Sequence, residues 1–312
     1  MTSICFIDGD LLKFKIGFVG QVDTVDVYDQ SGEFVGNYKN KTKAFDELGS
    51  KDFTIEPKVE PKPWEQVVKI GRAMIRNIVK GSGCTKYRIY VDGEGNFRHD
   101  LAQIKPYKGT RSSAKPFYYE RIEKWLIEEM GAKVIKDIEV DDAICLAMKY
   151  GYDRDIKYIG ATTDKDALGT VGWLYNYDKM DEPEYIDETA AERAFYTQML
   201  TGDSIDNIQG CRQAGAACKE AVLISKEDDV DEMFKLVSQK YIDKAKRSGL
   251  VLSYRDDSPI SVKDEFLENA RLLRMLTWKD PNILWCPVEH GGVSKKLWRD
   301  FVKQSNEVDK QC

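Results

Sequence analysis

Acidic residues recur in this chain as short clusters with a shared setting: Asp8 with Asp10, Asp92, Glu139 with Asp141 and Asp142, and Asp164 with Asp166. Each cluster lies just past an apolar run that reads as a strand, or at the start of the helix after it. A further pair, Asp203 and Asp206, sits in segment 202–210, where the three-residue spacing predicts a shared face of a helical turn. Carboxylates gathered in one place repel one another unless cations neutralise them. Oxygen-only donors, without His or Cys, suit Mg²⁺ or Mn²⁺. Two such ions about 3.5–4 Å apart serve in-line displacement at phosphorus, so the chemistry to expect is phosphodiester hydrolysis. Turn-forming and helix-capping tendencies explain any single pair. They do not explain recurrence at every strand end.

To position these residues the chain needs a sheet whose strand ends converge. Apolar strands alternate with amphipathic helices, which predicts an α/β fold with a mostly parallel central sheet flanked by helices. Strands are expected at 4–7, 88–91, 133–136, 157–161 and 173–176. Residues 25–38 read as a β-hairpin, and the proline-spaced stretch 56–63 as an extended linker. Apolar residues between Trp64 and Ile78 keep helical spacing, and a helix over 140–149 begins beside Glu139. From about residue 189 the chain reads as mainly helical, so a boundary is placed near 187. This divides a catalytic domain, 1–187, carrying a β-hairpin insertion at about 25–63, from a helical region, 188–312. In an open α/β sheet the carboxyl ends of the strands form the crevice where ligands bind.

The chain has 312 residues, of which 42% are hydrophobic and 32% charged, a balance that supports a packed core. No apolar stretch reaches the ~18–20 residues that would cross a bilayer. The apolar N-terminal run is interrupted by Asp8 and Asp10 and has no basic lead-in, so it does not read as a signal peptide. Seven scattered cysteines fit the reduced thiols of a cytoplasmic protein. Two histidines argue against His-built zinc sites and His-dependent triads. Neither a Walker A loop nor a dinucleotide fingerprint is present, so no nucleotide cofactor is expected. The net charge of −6 turns positive once the clustered acids are set aside. Positive charge concentrates in segment 97–124, where Lys105, Lys108, Arg111 and Lys115 interleave with Tyr107, Phe117, Tyr118 and Tyr119. Such a mixture suits nucleic-acid ends, with cations holding phosphates and aromatic rings stacking on bases.

Segments IDGDLLKFK (7–15), YVDG (90–93), PYKGTR (106–111), IEVDDAICLA (138–147), TTDKDAL (162–168) and GDSIDNIQG (202–210) occur in this order. Together they resemble the 5′-nuclease family, which includes flap endonucleases and 5′→3′ exonucleases. Within it the nearest likeness is to exonucleases of tailed bacteriophages, and segment 269–287 is similar to their C-terminal end. The resemblance implies a PIN-like fold followed by a helix–turn–helix-type duplex clamp. It implies metal ligands at Asp8, Asp92, Glu139, Asp141, Asp142, Asp164, Asp166, Asp203 and Asp206, while Asp10 falls where relatives often carry a neutral residue. It also implies a helical arch over about 97–130. There Lys108 and Arg111 would stabilise charge on the reacting phosphate, with Lys15 near the same phosphate and Lys105, Tyr107 and Lys115 contacting DNA. Gly210 and Gly215 would belong to the duplex clamp. Relatives continue after Gly210 as a G-x-G-x-K turn that often binds K⁺. Here residues 211–219 keep Gly215 but lose the preceding glycine and shift the lysine, which predicts that K⁺ and Na⁺ serve equally.

The implied activity is 5′→3′ exonuclease or structure-specific 5′-nuclease cleavage of DNA with two Mg²⁺ ions, Mn²⁺ substituting, in phage DNA replication or recombination in the host cytoplasm. Removal of RNA from RNA–DNA hybrids, or branched-DNA binding without catalysis, remain as alternatives.

Overall fold

In the computed structural model, residues 3–111, 114–212, 214–278 and 283–312 are described. β1 (Ile4–Asp8) is an apolar run buried beyond its first residue. It ends on Asp8, which caps α1 (Gly9–Val19) by accepting a hydrogen bond from the Leu11 amide at 3.0 Å. The strand-to-helix turn requires Gly9, because a Cβ there would lie 2.3 Å from the Tyr90 carbonyl oxygen. The hairpin follows as β2 (Gln21–Tyr28) and β3 (Phe34–Tyr38), antiparallel as expected.

Beyond α2 (Lys41–Leu48), the stretch expected to be a linker is a strand, β4 (Thr54–Pro61), antiparallel to β2 along its whole length. The expectation fails because Pro57 and Pro61 lie on an edge strand, where a missing N–H can face away from the ladder. In the order β3-β2-β4, β4 is such an edge.

The main sheet is completed around α3 (Trp64–Ser82), β5 (Lys86–Asp92), α4 (Phe97–Leu101), α5 (Tyr119–Glu128), β6 (Lys133–Ile135), α6 (Val140–Asp153), β7 (Tyr158–Ala161), β8 (Gly172–Tyr175) and β9 (Glu184–Ile186). Its order is β6-β5-β1-β7-β8-β9. Pairings are parallel except for β9, an antiparallel edge strand too short to register as an apolar run. On one face Ile16 of α1, Val67 and Ile75 of α3 and Trp125 of α5 pack over Ile7 and Ile89. On the other, Ile144 and Met148 of α6 pack with Phe6 and Leu174. The chain therefore leaves β1 in one direction and returns past it to β7, the strand-order reversal at which α/β sheets bind ligands.

The remaining elements are α7 (Glu188–Thr201), α8 (Lys219–Ile224), α9 (Val230–Ser248), a ribbon of β10 (Val251–Leu252) and β11 (Pro259–Ile260), α10 (Val262–Leu273) and α11 (Lys295–Asp309). Phe195, Phe234, Tyr241, Phe266 and Phe301 build their core, which also takes in Ala102 and Tyr107.

That last packing bears on the arch expected over about 97–130. Among the described residues its helices are α4 and α5, and between them the chain runs as turns against the helical region. Burying Tyr107 holds this segment down instead of letting it stand over the crevice. Residues 112–113 of the basic segment, 213 of the altered turn and 279–282 of the C-terminal motif lie outside the described residues. No described helix is long and apolar enough to cross a membrane, and all seven cysteines are free.

Candidate metal centre

Five chain segments deliver the acids to one edge of the main sheet. Asp8 and Asp92 are the last residues of the neighbouring strands β1 and β5. Asp92 reaches across to the start of α6, its Oδ1 accepting from the Val140 amide at 2.8 Å. Glu139 caps that helix, so Asp141 and Asp142 fall in its first turn, where the helix dipole favours negative charge. Thr162, just past β7, ties two segments together. Its hydroxyl donates to Asp8 Oδ2 at 3.0 Å and accepts from the Asp164 amide at 3.1 Å. Asp164 in turn accepts from the Asp166 amide, and Gln198 of α7 donates to Asp166.

Asp203 and Asp206 share the site, but not through the expected helical turn. Paired backbone hydrogen bonds between Asp203 and Ile208, at 2.9 and 2.7 Å, close a tight loop. Asn207 lies in the left-handed region at φ 59°. Gly202, at φ 67°, admits no side chain, since a Cβ would meet the Ile208 carbonyl at 2.3 Å. Asp203 Oδ1 accepts from the amides of Ile205 and Asp206, which folds the loop around its own first acid.

Crowding is legible in the acidities. Burial, with the neighbouring Asp10 charge, pushes Asp8 up to about 6. Burial together with Asp10 and Glu139 pushes Asp92 up to about 7, and burial beside Asp164 does the same to Asp166. Asp141 is held well above the usual carboxylate range by burial and by the charges of Asp8, Asp164 and Glu139. Its Oδ1 is sealed from solvent without a hydrogen-bond partner. Asp203 goes the other way: burial opposes its charge, but the hydrogen bond from Lys165, at 2.6 Å, holds it below its ordinary value.

Among the described residues no three acids close on one point as a finished ligand shell. Cations of the chain reach into the cluster, Lys108 pairing with Glu139, Arg111 with Asp206 and Lys165 with Asp203. A hard divalent cation fits this donor set. The ligands are all oxygens, the acids resist simultaneous ionisation, and the sealed Asp141 oxygen lacks any protein donor.

Other expected site residues are placed differently. Asp142 does not face the crevice. Both its oxygens accept from the fully buried Arg98, at 2.5 and 2.8 Å, and Oδ1 also accepts from the Leu276 amide. Arg98 further donates to the carbonyls of Leu272 and Arg274, so this pair clamps α6 to the C-terminal motif. Tyr107, expected to stack on DNA, is buried, and its hydroxyl stands 3.0 Å from Glu139 and 2.8 Å from Asp206. Gly210 is also buried and spends its amide on Asn269, at 2.8 Å, which removes it as a phosphate donor. Gly215 is exposed in the turn before α8. Lys15 pairs with Asp178 over the ring of Tyr177, whose phenol lies close enough to Asp8 and Asp141 to feel their charge. Asp10 is engaged by Lys13 and by the Asp92 amide. Lys105 and Lys115 are exposed, Lys115 lying over the Tyr119 ring.

Arg98, Thr162, Lys165, Tyr177 and Gln198 were not singled out from sequence. Lys165 had a usable signal, its place between two clustered acids. Arg98 had none, being one cation among many in a basic stretch.

No protein-family model and no curated protein matches the chain. Among solved structures it is similar to the T5 D15 protein co-crystallised with metal ions, at 15% identity and TM-score 0.51, covering 98% of this chain and 99% of that one. A structure of T5 5′-exonuclease with zinc bound is similar at 15% identity and TM-score 0.49, with the same coverage. The first likeness bears out the expected α/β architecture over nearly the full length of the chain.

The Arg98–Asp142 clamp makes Asp142→Asn a stability lesion. Removing one member of a buried pair costs on the order of 3–5 kcal/mol, so thermal unfolding is expected well below that of the parent, with or without Mg²⁺. An unchanged melting temperature overturns the clamp.

Carboxyl pKa values raised in the folded state mean that it binds more protons than the unfolded chain between about pH 4 and pH 7. The contribution of Asp8, Asp92 and Asp166 to stability in EDTA is therefore fully present below the ordinary carboxylate range and is lost as pH rises through their raised values. Calorimetry in EDTA should give a lower melting temperature at pH 8 than at pH 5. Added Mg²⁺ or Mn²⁺ should restore more at pH 8, because cation binding competes with protons.

Proposed function

We propose that the protein is a divalent-metal-dependent phosphodiesterase that cleaves DNA from 5′ ends or at 5′ flaps. The observation that carries this reading is the convergence of acids from five chain segments beside a basic loop held against them. Asp8, Asp141, Asp164 and Asp166 would hold one part of a two-ion centre, with Asp92, Glu139, Asp203 and Asp206 completing it. Bound Mg²⁺ ions supply Lewis acidity at the phosphate and offset the carboxylate repulsion.

The chain's own groups do the rest. Lys108 and Arg111 approach the acids from the loop over 105–111 and present positive charge where a phosphate would lie. Lys108 is held in the left-handed region, at φ 55°, with its amide donating to the Asp206 carbonyl at 2.9 Å. Its ammonium is held beside the crevice by the ion pair with Glu139. Tyr107, buried beneath, orients Glu139 and Asp206 through its hydroxyl. The exposed turn around Gly215, between α7 and α8, serves as the duplex-facing element in this reading, with the helical region 188–312 as its support. The T5 D15 protein, with which the chain shares its fold, was crystallised with metal ions, which supports a metal-dependent site here.

The deciding experiment is digestion of 5′-labelled duplex, 5′-flap and RNA–DNA substrates in Mg²⁺ and in EDTA. Metal-dependent cleavage of DNA from the 5′ side is expected. Cleavage that persists in EDTA, or binding without cleavage, overturns the proposal.

Asp141→Asn separates chemistry from folding. Neutralising this crowded acid should abolish cleavage in Mg²⁺ while raising stability in EDTA at pH 8, each 1 kcal/mol appearing as about 2–4 °C. DNA binding should persist, since phosphate contacts elsewhere supply most of it. Near-normal cleavage removes Asp141 from the site.

Lys108→Ala should cost far more in turnover than in affinity. A charge aimed at the reacting phosphate acts mainly in the transition state, and its loss lowers rate on the order of 10²–10³-fold. Lost uniform binding would raise KM with kcat little changed. Single-turnover rates at saturating enzyme distinguish the two, and a normal rate at saturation reduces Lys108 to a docking residue.

A further inference from the structure

On the α1/α3/α5 side of the sheet, far from the acids, the structure holds a groove of about 520 Å³ between α3, the end of α5 and β5. Its floor is apolar, formed by Ile75, Val79, Tyr87 and Met130. Along its rim α3 places Lys69, Arg72, Arg76 and Lys80, spaced so that all four project from one helix face. All four are exposed. Of these cations only Arg72 has a carboxylate partner among the described residues, Glu129 at 3.2 Å, and both members of that pair are more than half exposed. Such a surface pair contributes little, so the rim carries nearly its full positive charge.

A solvated cationic helix face needs no cavity beneath it, and a phosphate backbone needs no apolar floor. The two together match a chain that is acidic and carries an apolar anchor. Position sets the groove apart from the crevice itself. Tyr87 precedes Asp92 by five residues on β5, which at the strand rise puts the groove roughly 17 Å from the acid cluster. We infer that this groove is a docking site for an acidic peptide segment of a partner protein, whose carboxylates pair with Lys69, Arg72, Arg76 and Lys80 while an aromatic or aliphatic side chain enters the apolar floor. The inference stands independently of the proposed reaction.

The probe is a fluorescein-labelled hexapeptide of four acidic residues followed by Leu and Phe, titrated with the full chain at low salt. Saturable anisotropy change is expected, weakened about tenfold or more by Arg76→Glu and by Lys80→Glu, and weakening steeply with added salt. Tyr87→Ser, and a peptide ending in Gly and Ser instead of Leu and Phe, should each weaken binding as well. Cleavage of a short 5′-labelled duplex should be unaltered in all three variants. Absence of saturable binding up to millimolar protein overturns the proposal, as does equal binding of the Gly-Ser peptide. If a short duplex DNA displaces the peptide and its own affinity falls in Arg76→Glu, the groove belongs to nucleic acid and the peptide proposal fails.

Discussion

Repulsion among carboxylates at the end of a parallel sheet is the constraint around which this protein is arranged. Asp8, Asp92, Asp141, Asp164 and Asp166 are each made weaker acids by burial and by the charge of neighbouring carboxylates. A fold that gathers them must supply compensation. Part of it comes from hydrogen bonds to backbone amides, as at Leu11, Val140 and Asp166. Part comes from Lys108, Arg111 and Lys165, each paired with an acid of the cluster. What remains is a site with a standing preference for added positive charge.

The same constraint accounts for the arrangement of the basic loop. Tyr107 packs into the core of the helical region while its hydroxyl meets Glu139 from α6 and Asp206 from the loop after α7. One side chain thus couples the two halves of the chain at the crevice. Arg98 does so again behind the site, joining Asp142 to the carbonyls of Leu272 and Arg274. An internal ion pair without solvent is costly to form and far costlier to break. Its value here is positional: α6 cannot shift without exposing or unpairing a buried guanidinium, so Asp141 stays aimed at the crevice.

Charge is also partitioned between faces. Acids converge on the carboxyl end of the sheet, while α3 carries a cationic rim over an apolar groove at a distance from them. The net charge of −6 conceals both features, since it averages a strongly acidic centre with a basic exterior.

Much was determined by sequence alone. The acids follow apolar runs closely enough in sequence that strand, turn and carboxylate cluster were legible together at Asp8, Asp92, Asp164 and Asp166. The amphipathic spacing of α3 followed from local periodicity, because the helix buries one face on the sheet. What tertiary structure alone decided lies where long-range partners override local pattern. β4 is proline-spaced like a linker, and becomes a strand because β2 offers it an edge. Asp142 is chemically equivalent to Asp141 in sequence, and differs only because Arg98, 44 residues away, claims both its oxygens. Tyr107 reads as a stacking aromatic until the helical core buries it, and Gly210 as a phosphate contact until Asn269 takes its amide. Short-range spacing encodes which elements form and which acids lie at their ends. Which of those acids face a ligand and which are consumed in holding the fold is set by contacts between residues far apart in the chain, whose pairing no local pattern records.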